Sequence, residues 1–302
     1  MKLHAPEYYK NFVCIADRCR HSCCIGWEID IDRETAKKYN KMTDGYGLEI
    51  KNSITKRGTP HFKLKKGDRC PHLNENGLCK IILNLGEGCL CEICREHPRF
   101  YNDTSRGKEV GLGLSCEEAC RIILSSDSYA DFGEIGEIDE PYDPSEWDFD
   151  AVAEREAIFN ILADKSLSRP EKLATIEEKY TVSPSKFTDG NWIELLSSLE
   201  YLNEGHKEIF ACYSSGTSSP AALDKPLERA LAYFIFRHCS KAYDLDEFRA
   251  SLGFSLFCER LLASVCHLQS PDFILDAARM ISEELEYSED NTEAIKTEFY
   301  FL

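Results

Sequence analysis

The chain has 302 residues, of which 43% are hydrophobic and 11% aromatic, with a formal net charge of −17; it reads as a folded, soluble protein able to bury a full core. The charge is uneven: residues 1–120 hold 20 Lys and Arg against 17 Asp and Glu, and the remainder 16 against 36. An acidic second half argues against nucleic acid and anionic membrane as partners and suits a basic partner or a lysine-bearing substrate. No apolar run reaches the roughly 18–20 residues of a membrane span. Residues 1–9 lack the apolar stretch of a signal peptide, so a cytoplasmic location is expected.

Cysteine is the most informative residue. Of 15 cysteines, all but Cys212, Cys239, Cys258 and Cys266 fall before residue 121. The odd total, the chain length and the absence of a secretion signal argue against a disulfide scaffold and for thiolate ligation of zinc or an iron–sulfur cluster.

In chain order, an aromatic lead (Tyr8, Tyr9, Phe12) runs into Cys14-Ile-Ala-Asp-Arg-Cys19-Arg-His-Ser-Cys23-Cys24. Trp27, Ile29 and Ile31 then alternate with Glu28, Asp30 and Asp32, the period of a half-buried strand. Asp32 is placed to cap a helix over 33–42. Glycines 45, 47 and 58 and Thr59-Pro60 mark loops between 44 and 66, with a strand at 61–65. Asn76-Gly77 predicts a tight turn that brings Cys70 and Cys79 together, followed by a short helix over 80–87 and the triplet Cys89, Cys91, Cys94. Residues 109–116 read as a strand feeding a helix near Glu117, which sets Cys116 at a helix N-terminus, where the dipole favours a thiolate. Cys120, one turn on, reads as a packed helix residue.

From 125 to 150 the composition turns acidic and loses helical period. Beyond it helices are predicted over 151–165, after a Ser168 cap, over 192–201 and onward toward 213, and over 227–243, 246–267 and 272–287. Residues 230–236 are apolar all round and read as a central buried helix. The expected architecture is mainly α: a cysteine-rich N-terminal region with short strands and a metal site (1–125), an acidic linker (126–150) and a helical region (151–302).

Structural zinc asks for four Cys or His ligands, and iron–sulfur clusters most often ask for four thiolates. The first cysteine group is spaced C-x4-C-x3-C-C, which departs from the C-x2-C of zinc ribbons and favours a cluster. His21, His72 and His97 stand beside cysteines as substitute ligands. A phosphate-binding P-loop and a G-x-S-x-G elbow are both absent. The residues taken alone lead to a thiolate metal protein.

The phrases Tyr8-Tyr9-x2-Phe12-x-Cys14, Cys19-x3-Cys23-Cys24-x-Gly-Trp27, Cys70-Pro-x-Leu, Gly77-Leu-Cys79, Cys94-x3-Pro98-Arg99 and Ser115-Cys116-x-Glu118-Ala resemble the FliB-type flagellin lysine-N-methylases. So do 232–238 and 281–291 in the helical part. The resemblance implies transfer of methyl groups from S-adenosylmethionine to lysines of flagellin, and a 4Fe-4S cluster with zinc as the alternative. It also implies metal ligands drawn from Cys14, Cys19, Cys23, Cys24, Cys70, Cys79, Cys94 and Cys116. Glu117 stands where that family has Pro and Cys120 where it has Ala, while Cys89 and Cys91 look like additions. Trp27, Arg99 and Arg237 are candidates to hold the cofactor. Tyr8, Tyr9, Glu28, Tyr101 and Glu286 offer further aromatic faces and carboxylates for the sulfonium and the amine. The rival reading is a non-enzymatic zinc- or iron-binding or redox module that holds a protein partner. The sequence does not fix the oligomeric state.

Overall fold

The chain divides at Val13 and at Phe100: residues Val13–Arg99 form one unit, and Met1–Phe12 joins Phe100–Leu302 in a second. The computed structural model describes residues 1–217 and 219–300.

The smaller unit is built on four short helices, α1 (Arg33–Asn40), α2 (Gly45–Ser53), α3 (Lys80–Leu85) and α4 (Glu92–Glu96). They are tied by isolated antiparallel bridges, among them Ile25↔Arg69, Asp30↔His61, Ile54↔Phe62 and Leu73↔Cys79. The alternation seen in the sequence holds at 28–31, with Ile29 and Ile31 buried and Glu28 and Asp30 exposed, but the segment makes single bridges rather than a full strand. Ile29, Ile31, Tyr39, Ile50, Phe62 and Ile81 form the core together with Cys70 and Cys91. Helix α2 lies where loops were expected. Its glycines read as breakers, yet Gly45 opens the helix at φ +51°. Gly47 lets the helix approach Met42 so closely that a Cβ would sit 2.7 Å from the Met42 Cβ.

The larger unit carries a mixed sheet in the order β2-β3-β1-β4, from β1 (Lys2–Pro6), β2 (Arg99–Thr104), β3 (Gly107–Leu112) and β4 (Phe132–Glu137). Strand β1 runs parallel to β3 and antiparallel to β4. This pairing is why the first twelve residues belong with the helical part and not with the cysteines that follow them. Helix α5 (Glu117–Ser125) follows β3, and its Ala119, Ile123 and Leu124 enter the main core. The unit boundaries therefore differ from the compositional division at 125. Residues 100–125 supply core layers of the helical unit, and within 126–150 strand β4 pairs with β1 to close one edge of the sheet.

Helices α6 (Ala151–Ala163), α7 (Arg169–Tyr180), α8 (Asp189–Ser198), α9 (Glu204–Phe210), α10 (Asp224–Cys239), α11 (Leu245–Leu268), α12 (Ile274–Ile281) and α13 (Glu289–Tyr300) complete the unit. The helical stretch predicted from 192 toward 213 is interrupted after Ser198, and α9 restarts where the Asn203 side chain accepts from Gly205 N at 3.0 Å. Ser168 and Glu171 form a reciprocal capping box on α7. Helix α10 is buried along residues 230–236 as its sequence predicts, and Cys239, Cys258 and Cys266 are fully buried packing residues. Helix α11 has the length and composition of a membrane span, but 83% of its apolar window is inside the fold; it is the central core helix. The α12 turn widens into a π-helical turn at Ser282–Glu286 before α13 begins.

Candidate metal centre

Three local structures in the smaller unit bring thiols together. Cys70 N donates to Cys24 O at 2.9 Å, next to the Ile25↔Arg69 bridge, so the backbones at 24 and 70 are adjacent. In the Asn74–Leu78 turn, Asn74 Oδ1 accepts from Asn76 N and Leu78 N, both at 2.9 Å. Gly77 supplies the positive φ of +76° that this turn needs, and the Leu73↔Cys79 bridge returns Cys79 toward Cys70 as predicted. Third, Cys91 is the N-cap of α4 and Cys94 lies in its first turn. Asp32 links that helix to α1, because one carboxylate oxygen accepts from Thr35 N at 2.8 Å and the other from Glu92 N at 2.9 Å.

Cys70 and Cys91 are core residues of this unit, and Cys24, Cys79, Cys89 and Cys94 pack against them. The thiols act on one another electrostatically. Hydrogen bonding to Cys23, then burial, raises Cys24. Burial first, with Cys24 and Cys79 adding to it, pushes Cys70 up to about 12. Burial also raises Cys79, where Cys24 and Cys91 contribute. The Cys94 thiol donates to Cys91, which lowers Cys91 and raises Cys94, and burial and the charges at Cys91, Cys24 and Cys70 raise Cys94 further. Cys24, Cys70, Cys79, Cys91 and Cys94 thus interact within one part of the smaller unit, with Cys91 lowered and the other four raised. A thiophilic metal reverses this balance: coordination displaces thiol protons and supplies the positive charge that mutually repelling thiolates lack. Thiols are the donor type that zinc and iron–sulfur clusters take.

The other expected ligands are placed as follows. Cys14 is exposed and its sulfur accepts from Ala16 N at 3.4 Å. Cys19 Sγ donates to the His21 carbonyl at 3.1 Å. Cys23 is exposed beside Cys24. Cys116 belongs to the larger unit, at the N-cap of α5, and packs against that unit's core. Among the histidines, both ring nitrogens of His72 are occupied, by Tyr46 Oη at 2.6 Å and Ser53 Oγ at 2.8 Å, so its role is packing. His97 differs: its Nε2 is buried without a hydrogen-bond partner.

Cys91 stands outside the ligand positions that the resemblance implies. The signal was present in Cys91-x2-Cys94, the ligand spacing of metal knuckles.

Of the cofactor candidates, Trp27 packs against the thiol-bearing core and its Nε1 donates to Cys23 O at 2.8 Å. Arg99 opens β2. Arg237 is engaged within the larger unit: its Nε is 3.4 Å from Glu286, its Nη1 donates to Tyr233 Oη at 2.9 Å, and the guanidinium lies over Phe100 and Tyr287. Glu286 also takes hydrogen bonds from His238 at 2.7 Å and Tyr233 at 3.0 Å. That network satisfies Arg237 as a core ion pair.

A cleft of about 930 Å³ opens in the smaller unit, lined by Asp30, Asp32, Arg33, Lys37, Pro60 and Glu92 among others.

Comparison with known proteins gives this arrangement a context. The chain is 31% identical over 127 residues to proteins named lysine-N-methylase from Salmonella choleraesuis (strain SC-B67) and Salmonella typhimurium (strain LT2), a match covering 40% of this chain and 32% of each relative. It is also 29% identical over 136 residues to the flagellar biosynthetic protein FliU of Salmonella muenchen, over 43% of this chain and 80% of that protein. The similarity thus spans about a third of the two lysine-N-methylases and most of FliU. No family model matches the chain, and no solved structure is similar to it.

Proposed function

We propose that the chain transfers methyl groups from S-adenosylmethionine to lysine side chains, with flagellin as the protein substrate, and that the smaller unit carries an iron–sulfur cluster. The observation that carries the reaction class is the 127-residue similarity to two lysine-N-methylases; the five-thiol cluster supports the cofactor. Ligands would come from Cys24, Cys70, Cys79, Cys91 and Cys94, with Cys91 the thiol most readily ionised. When bound, the cluster supplies a redox-active centre and takes up the thiolates' negative charge.

Methyl transfer requires a neutral amine. The lysine Nζ forms a bond to the methyl carbon as the methyl–sulfur bond breaks, the electron pair stays on sulfur, and S-adenosylhomocysteine leaves. The cleft offers a carboxylate suited to an incoming ammonium, Glu92. Asp32 is spent on holding the two helices, and Trp27 is the nearest aromatic candidate in sequence for a sulfonium. We place the reaction in the cytoplasm, where flagellin is made. Loss of methyllysine from flagellin on deletion of the gene is the expected result; unchanged methylation contradicts the proposal.

A second metal reading rests on Cys91-x2-Cys94 at a helix start, which also suits structural zinc. Metal and sulfide analysis of anaerobically purified protein separates the two: iron with matching sulfide for a cluster, or zinc without sulfide and a colourless protein.

A further inference from the structure

A second set of donors lies outside the thiol cluster. Along the extended run at 28–31, Ile29 and Ile31 are only 1% and 2% exposed, so Glu28 and Asp30 share the opposite face. Asp30 pairs with His61 across an antiparallel bridge. The flanking bonds are Ile31 N to Pro60 O at 2.7 Å and Phe62 N to Ile29 O at 3.2 Å. Asp30 and His61 are therefore the non-hydrogen-bonded pair of the ladder, the kind whose side chains come closest.

The consequence is a convergent triad: one carboxylate oxygen each from Glu28 and Asp30 and one ring nitrogen of His61 all lie within 4.8 Å of one another. His61 Nδ1 is 3.1 Å from Glu28 Oε1 and 2.9 Å from Thr59 O. The backbone beneath is fixed, because Ile29, Ile31 and Phe62 anchor both segments in the core. Among the described residues, neither Glu28 nor Asp30 forms an ion pair with a lysine or arginine. Two carboxylates therefore face one imidazole with no fixed cation to balance them.

We propose that Glu28, Asp30 and His61 bind a first-row divalent cation of the manganese or iron(II) class. Two carboxylate oxygens and one imidazole nitrogen suit such ions, whereas softer metals are drawn to the thiolates. Three protein ligands leave coordination positions open. Asp30 also lines the cleft together with Thr59 and Pro60, which sets the ion at the cleft's edge. The site stands independently of the methylase reading and of any cluster on the cysteines.

The test is a titration of the full-length protein with Mn2+, a hard ion that discriminates against the thiol cluster, followed by the electron paramagnetic resonance of free Mn2+. Wild-type protein is expected to bind one equivalent saturably and to melt at higher temperature with Mn2+ present. Asp30→Asn and His61→Ala should each weaken binding by about tenfold or more and abolish the thermal shift. Glu28→Gln, at a position 59% exposed, supplies a variant that leaves the fold undisturbed and should weaken binding likewise. Absence of saturable binding, or affinity unchanged in Glu28→Gln and Asp30→Asn, would overturn the assignment.

Discussion

Asp32 serves two helices with one carboxylate. Its Oδ1 caps α1 through Thr35 N, as its position before a helical pattern predicts, and its Oδ2 caps α4 through Glu92 N, sixty residues away. Partial burial works against its ionisation, but these N–H donors outweigh it and hold the carboxyl below its ordinary value of 3.8. Asp32→Ala should destabilise the smaller unit by about 1–2 kcal/mol, read from denaturant unfolding. The sign of the pH dependence follows: Asp32 contributes its stabilisation fully above the unfolded value near 3.8, and loses it as pH falls through the lower folded value. The variant's deficit should therefore shrink on acidification below about pH 4. At the same scale, Cys91→Ser should lose bound metal, whereas Cys14→Ser, an exposed position, should retain it; equal retention in both variants would remove Cys91 from the ligand set.

At the scale of elements, legibility followed the kind of force involved. Caps and tight turns are local, and Asp32, Ser168 and Asn76-Gly77 stood in the sequence where the structure uses them. Long-range pairing is not local. Strand β1 has no strong period of its own and exists because β3 and β4 flank it, so the boundary at residue 13 was not visible in composition. Helix α2 was hidden by glycines that serve a turn and a close approach. Cysteine density marks the smaller unit in the sequence, but only the folded backbone joins Cys24 to Cys70 and sets Cys91 in the same core. The buried pair of Arg155 and Glu109 shows the same limit. Arg155 on α6 meets Glu109 on β3 bidentately, at 2.6 and 2.8 Å, and reaches Ser240 Oγ just beyond α10 at 2.6 Å. Arg155→Ala should destabilise the larger unit by about 3–5 kcal/mol, because it strands a buried carboxylate. Glu109→Leu in the same background should recover part of that loss in thermal unfolding. A loss no larger than that of an exposed arginine would contradict the pairing.

Across the whole molecule, charge divides with the fold more sharply than with the sequence halves. Residues 13–99 hold 16 Lys and Arg against 12 Asp and Glu, and the remaining residues hold 20 against 41. The thiols divide as well: nine of the 15 cysteines lie in the smaller, mildly basic unit, six of them in or against its core, and of the six in the acidic helical unit those at 120, 239, 258 and 266 are buried packing residues. A cysteine-rich unit and an acidic helical unit suit an enzyme acting on lysine side chains, and the similarity to the lysine-N-methylases points to the same chemistry. The decisive measurement is methyl transfer by the anaerobically purified full-length protein. Flagellin is incubated with S-adenosylmethionine carrying a labelled methyl group, and its lysines are read by mass spectrometry. The account predicts label on lysine Nζ that depends on the protein and falls with Cys91→Ser. Unlabelled flagellin, with protein that holds its metal and remains folded, would contradict it.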